Sequence, residues 1–128
     1  MEKKKVNFTK EIDITQAKSV SSTLVRQIII NLLLNALQAT QQRGRIHLHI
    51  YRDHNFLVIV VANNGSFIPA DKVAYLFEPF TSLSESGHGL GLWVIYQIVH
   101  QLGGNITVQS DPDETRFTVQ LPLQETYE

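Results

Sequence analysis

Arg45-Ile-His-Leu-His-Ile50, Asp53-His-Asn55 and Phe56-Leu-Val-Ile-Val-Val-Ala62 form the stretch that decides the fold class. In the first segment Ile46, Leu48 and Ile50 alternate with Arg45, His47 and His49, the period of two that a strand with one buried face requires. The second segment is a short turn. The third is almost continuously apolar, as a more deeply buried strand would be. Strand, turn and buried strand read as a hairpin, which argues against an all-helical chain.

Upstream, residues 22–42 contain neither Gly nor Pro, with Ser21 or Ser22 able to cap a helix and Gly44 to stop it. Leu24, Ile28, Leu32 and Ala36 recur every four positions, and Val25, Ile29 and Leu33 widen the stripe. The helix is therefore expected to be buried on more than one side. Residues 6–14 alternate as a strand, with Val6, Phe8, Ile12 and Ile14 as the expected inward set. Downstream, residues 63–69 are turn chemistry, 71–78 a short helix candidate, and 79–89 irregular and rich in Ser and Gly. Residues 91–102 read as a helix ended by Gly103-Gly104, and 105–110 with 115–121 as a closing strand pair. This order predicts an α/β (α+β) two-layer sandwich, a mixed sheet of about five strands with about three helices on one face.

The 128 residues, 43% of them hydrophobic, suit one domain over 1–128. Eleven basic and 12 acidic residues give a net charge of −1, which points to no nucleic-acid partner. The Lys3-Lys4-Lys5 run reads as a solvated terminus. The absence of cysteine excludes disulfide frameworks and thiolate metal sites. No apolar stretch approaches the roughly 18 residues of a membrane span, and Met1–Lys5 is followed by polar sequence rather than a signal-peptide core. A cytoplasmic chain with no direct membrane contact is expected.

Two motifs carry the chemistry. In Asn31-Leu-Leu-Leu-Asn35 the spacing of four puts both carboxamides on one helical face. Either they are structural amides bonded to neighbouring backbone, or one oxygen ligates a hard cation such as Mg²⁺. In Gly87-His88-Gly89-Leu90-Gly91-Leu92, closely spaced glycines lead directly into a helix, so backbone amides and the helix N-terminus can approach an anion. No strand precedes the run in a βαβ unit and no Lys-Ser/Thr pair follows it, so neither a dinucleotide fold nor a P-loop is indicated.

Read together with Phe77-Glu-Pro-Phe80, the Asn-Gly turn at Asn64-Gly65 and the terminal strand pair, the order of motifs resembles the ATP-binding domain of sensor histidine kinases. That domain is shared in outline with gyrase-type ATPases and heat-shock chaperones. The resemblance runs from about Val6 to Pro122 and implies a Bergerat-type fold with ATP and Mg²⁺ as cofactors. It implies that Asn35 is the Mg²⁺ ligand and that Asn31, in a catalytic role, orders the phosphates or a bridging water. Gln38 would face the phosphates. Phe77 and Phe80 would anchor a lid over residues 81–88, and Gly87, Gly89 and Gly91 would let it close, with Leu90 and Leu92 packed below. Ile68 would line the adenine pocket; His88, at the variable place in the run, reads more readily as a loop residue than as a phosphate contact.

Departures from the family pattern fall on the base side. Where the family has Asp-x-Gly-x-Gly, this chain has Asn63-Asn-Gly65-Ser-Phe67. Asn63 exchanges a charge-assisted hydrogen bond to the adenine amino group for a neutral one, a difference of about 1 kcal/mol, or roughly tenfold in affinity at most. Phe67 stands where a glycine would supply a positive φ or close approach. It would either partly fill the adenine site or swing out and cover it. Asp111-Pro-Asp-Glu114 reads as a variant hairpin turn, remote in sequence from the site.

The family's phosphorylated histidine lies on a separate helical hairpin. His47, His49, His54 and His100 do not fit that role and read as partly exposed structural histidines; His47 and His49 share a strand face, but no third metal ligand is suggested. Asn31 stands where gyrase-like relatives carry a water-activating Glu, so hydrolysis is not the expected reaction. The resemblance implies presentation of Mg-ATP for phosphoryl transfer to a phosphoacceptor/dimerisation helical domain, with a response regulator as an indirect partner. It also implies that the chain is a fragment or one member of a split system, not active alone. A nucleotide-impaired interaction domain of the same fold and an anti-sigma-type serine kinase are the alternatives.

Overall fold

The hairpin predicted around His54 is present and central. In the computed structural model, which describes residues 5–13, 22–65, 67–73, 75–77 and 90–123, β2 (Arg45–Asp53) and β3 (Phe56–Asn63) pair antiparallel across a two-residue turn. His54 takes φ 57° to close it. β1 (Asn7–Asp13) joins β2 in parallel, and β5 (Thr115–Pro122) joins β3 with β4 (Asn105–Ser110) outside it, both antiparallel. The strand order is therefore β1-β2-β3-β5-β4, a mixed five-stranded sheet. α1 (Ser22–Ala39), the four-residue α2 (Ala70–Val73) and α3 (Leu90–Gln101) complete the described elements.

Strand alternation sorts the sheet into two faces. Ile46, Leu48 and Ile50 of β2, Leu57, Ile59 and Val61 of β3, and Phe117, Val119 and Leu121 of β5 form the inner face. They pack with Ile28, Leu32 and Ala36 of α1 and Leu92, Ile95, Ile98 and Val99 of α3 in one core. Burying a side chain of this size stabilises the fold by roughly 1.5–3 kcal/mol. His47, His49 and Tyr51 point to the other face.

Three expectations need correction. Of the inward set in β1, Phe8 and Ile12 are 48% and 50% exposed. They share the inner face with Ile46 and Ile50 but lie on the edge strand, outside the cover that α1 and α3 give the central strands; Ile14 falls outside the described residues. On α1, Val25, Ile29 and Leu33 are half-buried as expected, whereas Ile30, Leu34 and Leu37 form an exposed apolar side. The short helix spans only Ala70–Val73, with the Pro69 carbonyl accepting from the amides of Lys72 (2.9 Å) and Val73 (3.2 Å).

α1 also ends three residues before the predicted 42. Thr40 folds its hydroxyl back on the Ala36 carbonyl (2.6 Å), Arg43 adopts φ 69°, and the Gly44 amide returns to the Gln41 carbonyl (2.9 Å). The Gly44 carbonyl then accepts from Asn7, fixing the start of β1. A Cβ at Gly44 would lie 2.3 Å from Thr40 Cγ2, 2.9 Å from the Gln41 carbonyl oxygen and 3.0 Å from Asn64 Oδ1. Gly44→Ala is therefore expected to destabilise by about 1–3 kcal/mol, read as a lower melting temperature in a thermal unfolding scan.

Candidate functional site

At the end of the central strand the inner face turns polar. Asn63, the last residue of β3, lies level with Ile46 on one side and Thr115 on the other. Asn63 and Thr115 are only 3% and 2% exposed. The Asn63 carboxamide donates from Nδ2 to the Asn64 carbonyl at 3.2 Å, a long bond. The hydroxyls of Thr115 and its partner Ser110 are 2.6 Å apart, and Ser110 Oγ accepts from the backbone amide of Ile68 at 2.8 Å. Through this chain the start of β5 and the end of β4 hold the segment after β3, with half-buried Ile68 packed against the core.

The turn itself is held from below. Asn64 donates its amide to the Arg45 carbonyl (3.1 Å) and accepts the Arg45 amide on Oδ1 (2.6 Å). Gly65 has φ 94° and passes over the end of α1, where a Cβ would sit 3.7 Å from the Gln41 nitrogen. The left-handed conformation thus falls at Gly65, the glycine this chain keeps. Phe67 has no positive φ and is 52% exposed. Its ring has swung outward, so neither backbone strain nor a filled inner pocket follows from it.

The Asp111-Pro-Asp-Glu114 turn is remote from Asn63 in sequence. It is a hairpin turn as read, with Asp111 Oδ1 accepting from the amides of Asp113 (2.8 Å) and Glu114 (2.9 Å). Of its two flanking hydroxyl residues, however, Ser110 accepts from Ile68 and Thr115 pairs with Asn63 across the ladder. Thr115 and Ser110 were missed. The available signal was a polar residue at the inward parity of Phe117, Val119 and Leu121, level with the polar Asn63.

On α1, at about 100° per residue, Asn31, Asn35 and Gln38 share one flank beside the buried Ile28–Leu32–Ala36 stripe. Asn31 and Asn35 are half-buried and Gln38 is exposed. Neither Asn carboxamide hydrogen-bonds to neighbouring backbone or to any other described residue, and no described buried polar atom is left without a partner. Two half-buried carboxamides one turn apart on one flank could offer oxygen to a hard cation with its waters and phosphates.

α3 begins at Leu90, so the glycine run feeds directly into a helix N-terminus; Gly91 lies in its first turn, and Leu92 is buried in the core. Phe80, Gly87, His88 and Gly89 lie outside the described residues. Phe77 is half-buried, stacked on Tyr96 (centroids 5.7 Å apart) and edge-on to Phe117 (6.4 Å).

The sequence model of the family described as histidine kinase-, DNA gyrase B- and HSP90-like ATPase matches residues 20–125. The chain belongs to that family. NtrB, a sensory histidine kinase/phosphatase of Rhodobacter capsulatus, is 36% identical over 110 residues, covering 76% of this chain and 31% of NtrB. Among solved structures, the nucleotide-free catalytic domain of histidine kinase ThkA superposes with a TM-score of 0.83 at 28% identity, covering 91% of this chain and 78% of that one. ThkA in complex with the response regulator TrrA superposes at 0.79, with 26% identity over 93% of this chain and 34% of the other. The chain spans about a third or less of the curated relatives it matches. It is an ATPase catalytic domain of the sensor histidine kinase type, and its five-stranded mixed sheet is the fold of that type. No described helix of this ATPase domain is long and apolar enough to cross a membrane.

Proposed function

We propose that this ATPase domain binds Mg-ATP and presents it for phosphoryl transfer to a histidine on a separate phosphoacceptor/dimerisation helical domain of a two-component kinase. The observation that carries the reading is the Asn31–Asn35 pair, two half-buried carboxamides with no partner among the described residues. Asn35 would supply an oxygen to Mg²⁺, which neutralises phosphate charge and holds the triphosphate in register. Asn31 and Gln38 would orient phosphate oxygens or a bridging water. Gly87, His88, Gly89 and Gly91, with Leu90 and Leu92 behind them and Phe80 at the lid base, would cover the phosphates at the start of α3.

On the base side, Asn63 would accept the adenine amino proton on Oδ1 while Nδ2 stays on the Asn64 carbonyl. Thr115 would close the rear of that pocket, and Gly65 and Ile68 would form its wall. Phe67 is free to pack on the outer edge of the base. A response regulator would receive the phosphoryl group from the histidine, consistent with the ThkA–TrrA complex of a relative. ATP as donor and the lack of cysteine favour the cytoplasm.

Calorimetric titration of the domain with ATP and Mg²⁺ tests the reading; absence of binding heat at millimolar nucleotide would leave an interaction domain of the same fold. Asn63→Asp is expected to raise ATP affinity about tenfold, through a charge-assisted bond to the amino group. The same change places a carboxylate against the Asn64 carbonyl in a buried site, so the nucleotide-free domain should lose about 1–2 kcal/mol of stability. Phe67→Gly, by contrast, should change affinity by less than about threefold, because the ring already points outward.

A further inference from the structure

Glu11, Asp13 and His49 meet on the face of the sheet opposite α1 and α3. Parallel pairing sets Glu11 against His49 and Asp13 against Tyr51, and alternation sends all their side chains to that outer face. His49 Nε2 lies 3.2 Å from Asp13 Oδ2 and 3.8 Å from Glu11 Oε2, and the three donor atoms all lie within 4.8 Å of one another. Two like charges two residues apart on one strand gain by diverging into solvent. Here both lean on a single imidazole. That imidazole packs against the Tyr51 ring, centroids 4.6 Å apart and planes tilted by 37°, and its side chain is 30% exposed against 56% and 57% for the two acids. The result is one nitrogen donor steadied by packing and two mobile oxygen donors closing on it.

We propose that Glu11, Asp13 and His49 form a binding site for a divalent transition-metal ion of the zinc type, completed by water. One imidazole nitrogen and two carboxylate oxygens suit zinc, whereas Mg²⁺ and Ca²⁺ favour oxygen-only sets. An ion about 2.0–2.2 Å from each donor bridges donors up to about 4 Å apart, so the two distances to His49 already fit and a small rotation of exposed Glu11 completes the set. His47 is outside it, its Nδ1 being engaged with Thr9 Oγ1 at 2.6 Å and its ring centred 6.3 Å from that of His49. The ligands come from two strands, and β1 is exposed throughout and, among the described strands, pairs with β2 alone. A bound ion therefore staples the edge strand to its neighbour and raises the stability of the whole domain by linkage. This inference is independent of nucleotide binding.

Zinc chloride is titrated calorimetrically into tag-free domain at neutral pH with millimolar Mg²⁺ present, and melting temperature is followed with and without the metal. One ion per chain should bind with micromolar affinity, undisturbed by Mg²⁺, and saturating zinc should raise the melting temperature. His49→Gln and Asp13→Asn should each weaken binding by about tenfold or more and remove the thermal shift. His54→Gln, which deletes the other His–Asp contact (2.7 Å, to Asp53), should do neither. Binding that survives His49→Gln, displacement by Mg²⁺, or no zinc binding below millimolar concentration would each overturn the proposal. Because all three ligands are on the outer face, the variants should fold; a variant melting well below the metal-free parent would be replaced by Glu11→Gln, for which a tenfold loss is again required.

Discussion

Asn35→Ala should lower affinity for Mg-ATP about 100-fold and leave the melting temperature of the free domain within a degree or two. The first expectation follows from chemistry: an amide oxygen on Mg²⁺ that also bridges phosphates acts on charged partners, and its loss is worth about 2–3 kcal/mol. The second follows from structure. The Asn35 side chain is half-buried and bonds to no described residue, so truncation leaves no buried group unpaired. Alanine is also the best helix former, which favours the variant slightly. The two effects separate a ligand from a structural amide: had Asn35 been a brace, stability would fall along with affinity. With excess EDTA the difference between Asn35→Ala and the parent should shrink to a few-fold if the oxygen holds the metal, as proposed. Equal Mg-ATP affinity in the two proteins would refute the assignment. Asn31→Ala, placed to orient phosphate or water rather than metal, should cost about tenfold.

How much of this was legible in the sequence depends on the distance over which each signal acts. The helix carrying Asn31 and Asn35 declares itself by an apolar residue every four positions and by a run free of Gly and Pro. The Ile46–Leu48–Ile50 alternation and the turn at His54 declare the hairpin. Those signals lie within one element. Edge position does not: Phe8 and Ile12 alternate as well as any buried strand, but their exposure depends on which neighbours α1 and α3 cover. The base side of the site is likewise non-local. Ile68, Ser110 and Thr115 are brought together by the β3–β5–β4 order, and the chain of hydroxyls joining them spans more than 40 residues. Phe67 shows the opposite error. The family pattern resembled here has a glycine at the place of Phe67, but the left-handed backbone belongs to Gly65, two residues earlier. The acidic neighbours of His49 were invisible for the same reason, since only parallel pairing with β1 places Glu11 and Asp13 beside it.

Gly104→Ala should be the most damaging single-methyl change in the described fold, and its neighbour shows why. α3 ends with the Gly104 amide on the Val99 carbonyl (2.8 Å) and the Gly103 amide on the His100 carbonyl (3.0 Å), the paired bonds of a Schellman cap. Gly103 holds φ 77°, but a Cβ there would meet only Pro122 Cγ at 3.7 Å, ordinary contact. Its alanine variant should lose about 1 kcal/mol, the cost of left-handed backbone, and Gly103→Asn should lose less. Gly104 has no positive φ, yet a Cβ would sit 2.3 Å from the Gln120 carbonyl oxygen and 2.8 Å from Leu121 Cδ2. Gln120 cannot retreat, being paired to Val58 on one side and Asn105 on the other. The turn must move instead, and the helix with it. About 3 kcal/mol and a fall of about 10 °C in melting temperature are expected for Gly104→Ala, with Gly104→Asn no better. Equal melting of the Gly103→Ala and Gly104→Ala proteins would show that the close contacts beside Gly104 do not set the requirement. Both glycines stand at the end of α3 opposite Leu90, about 17 Å along the helix, so Gly103→Ala should keep its nucleotide affinity while it loses stability.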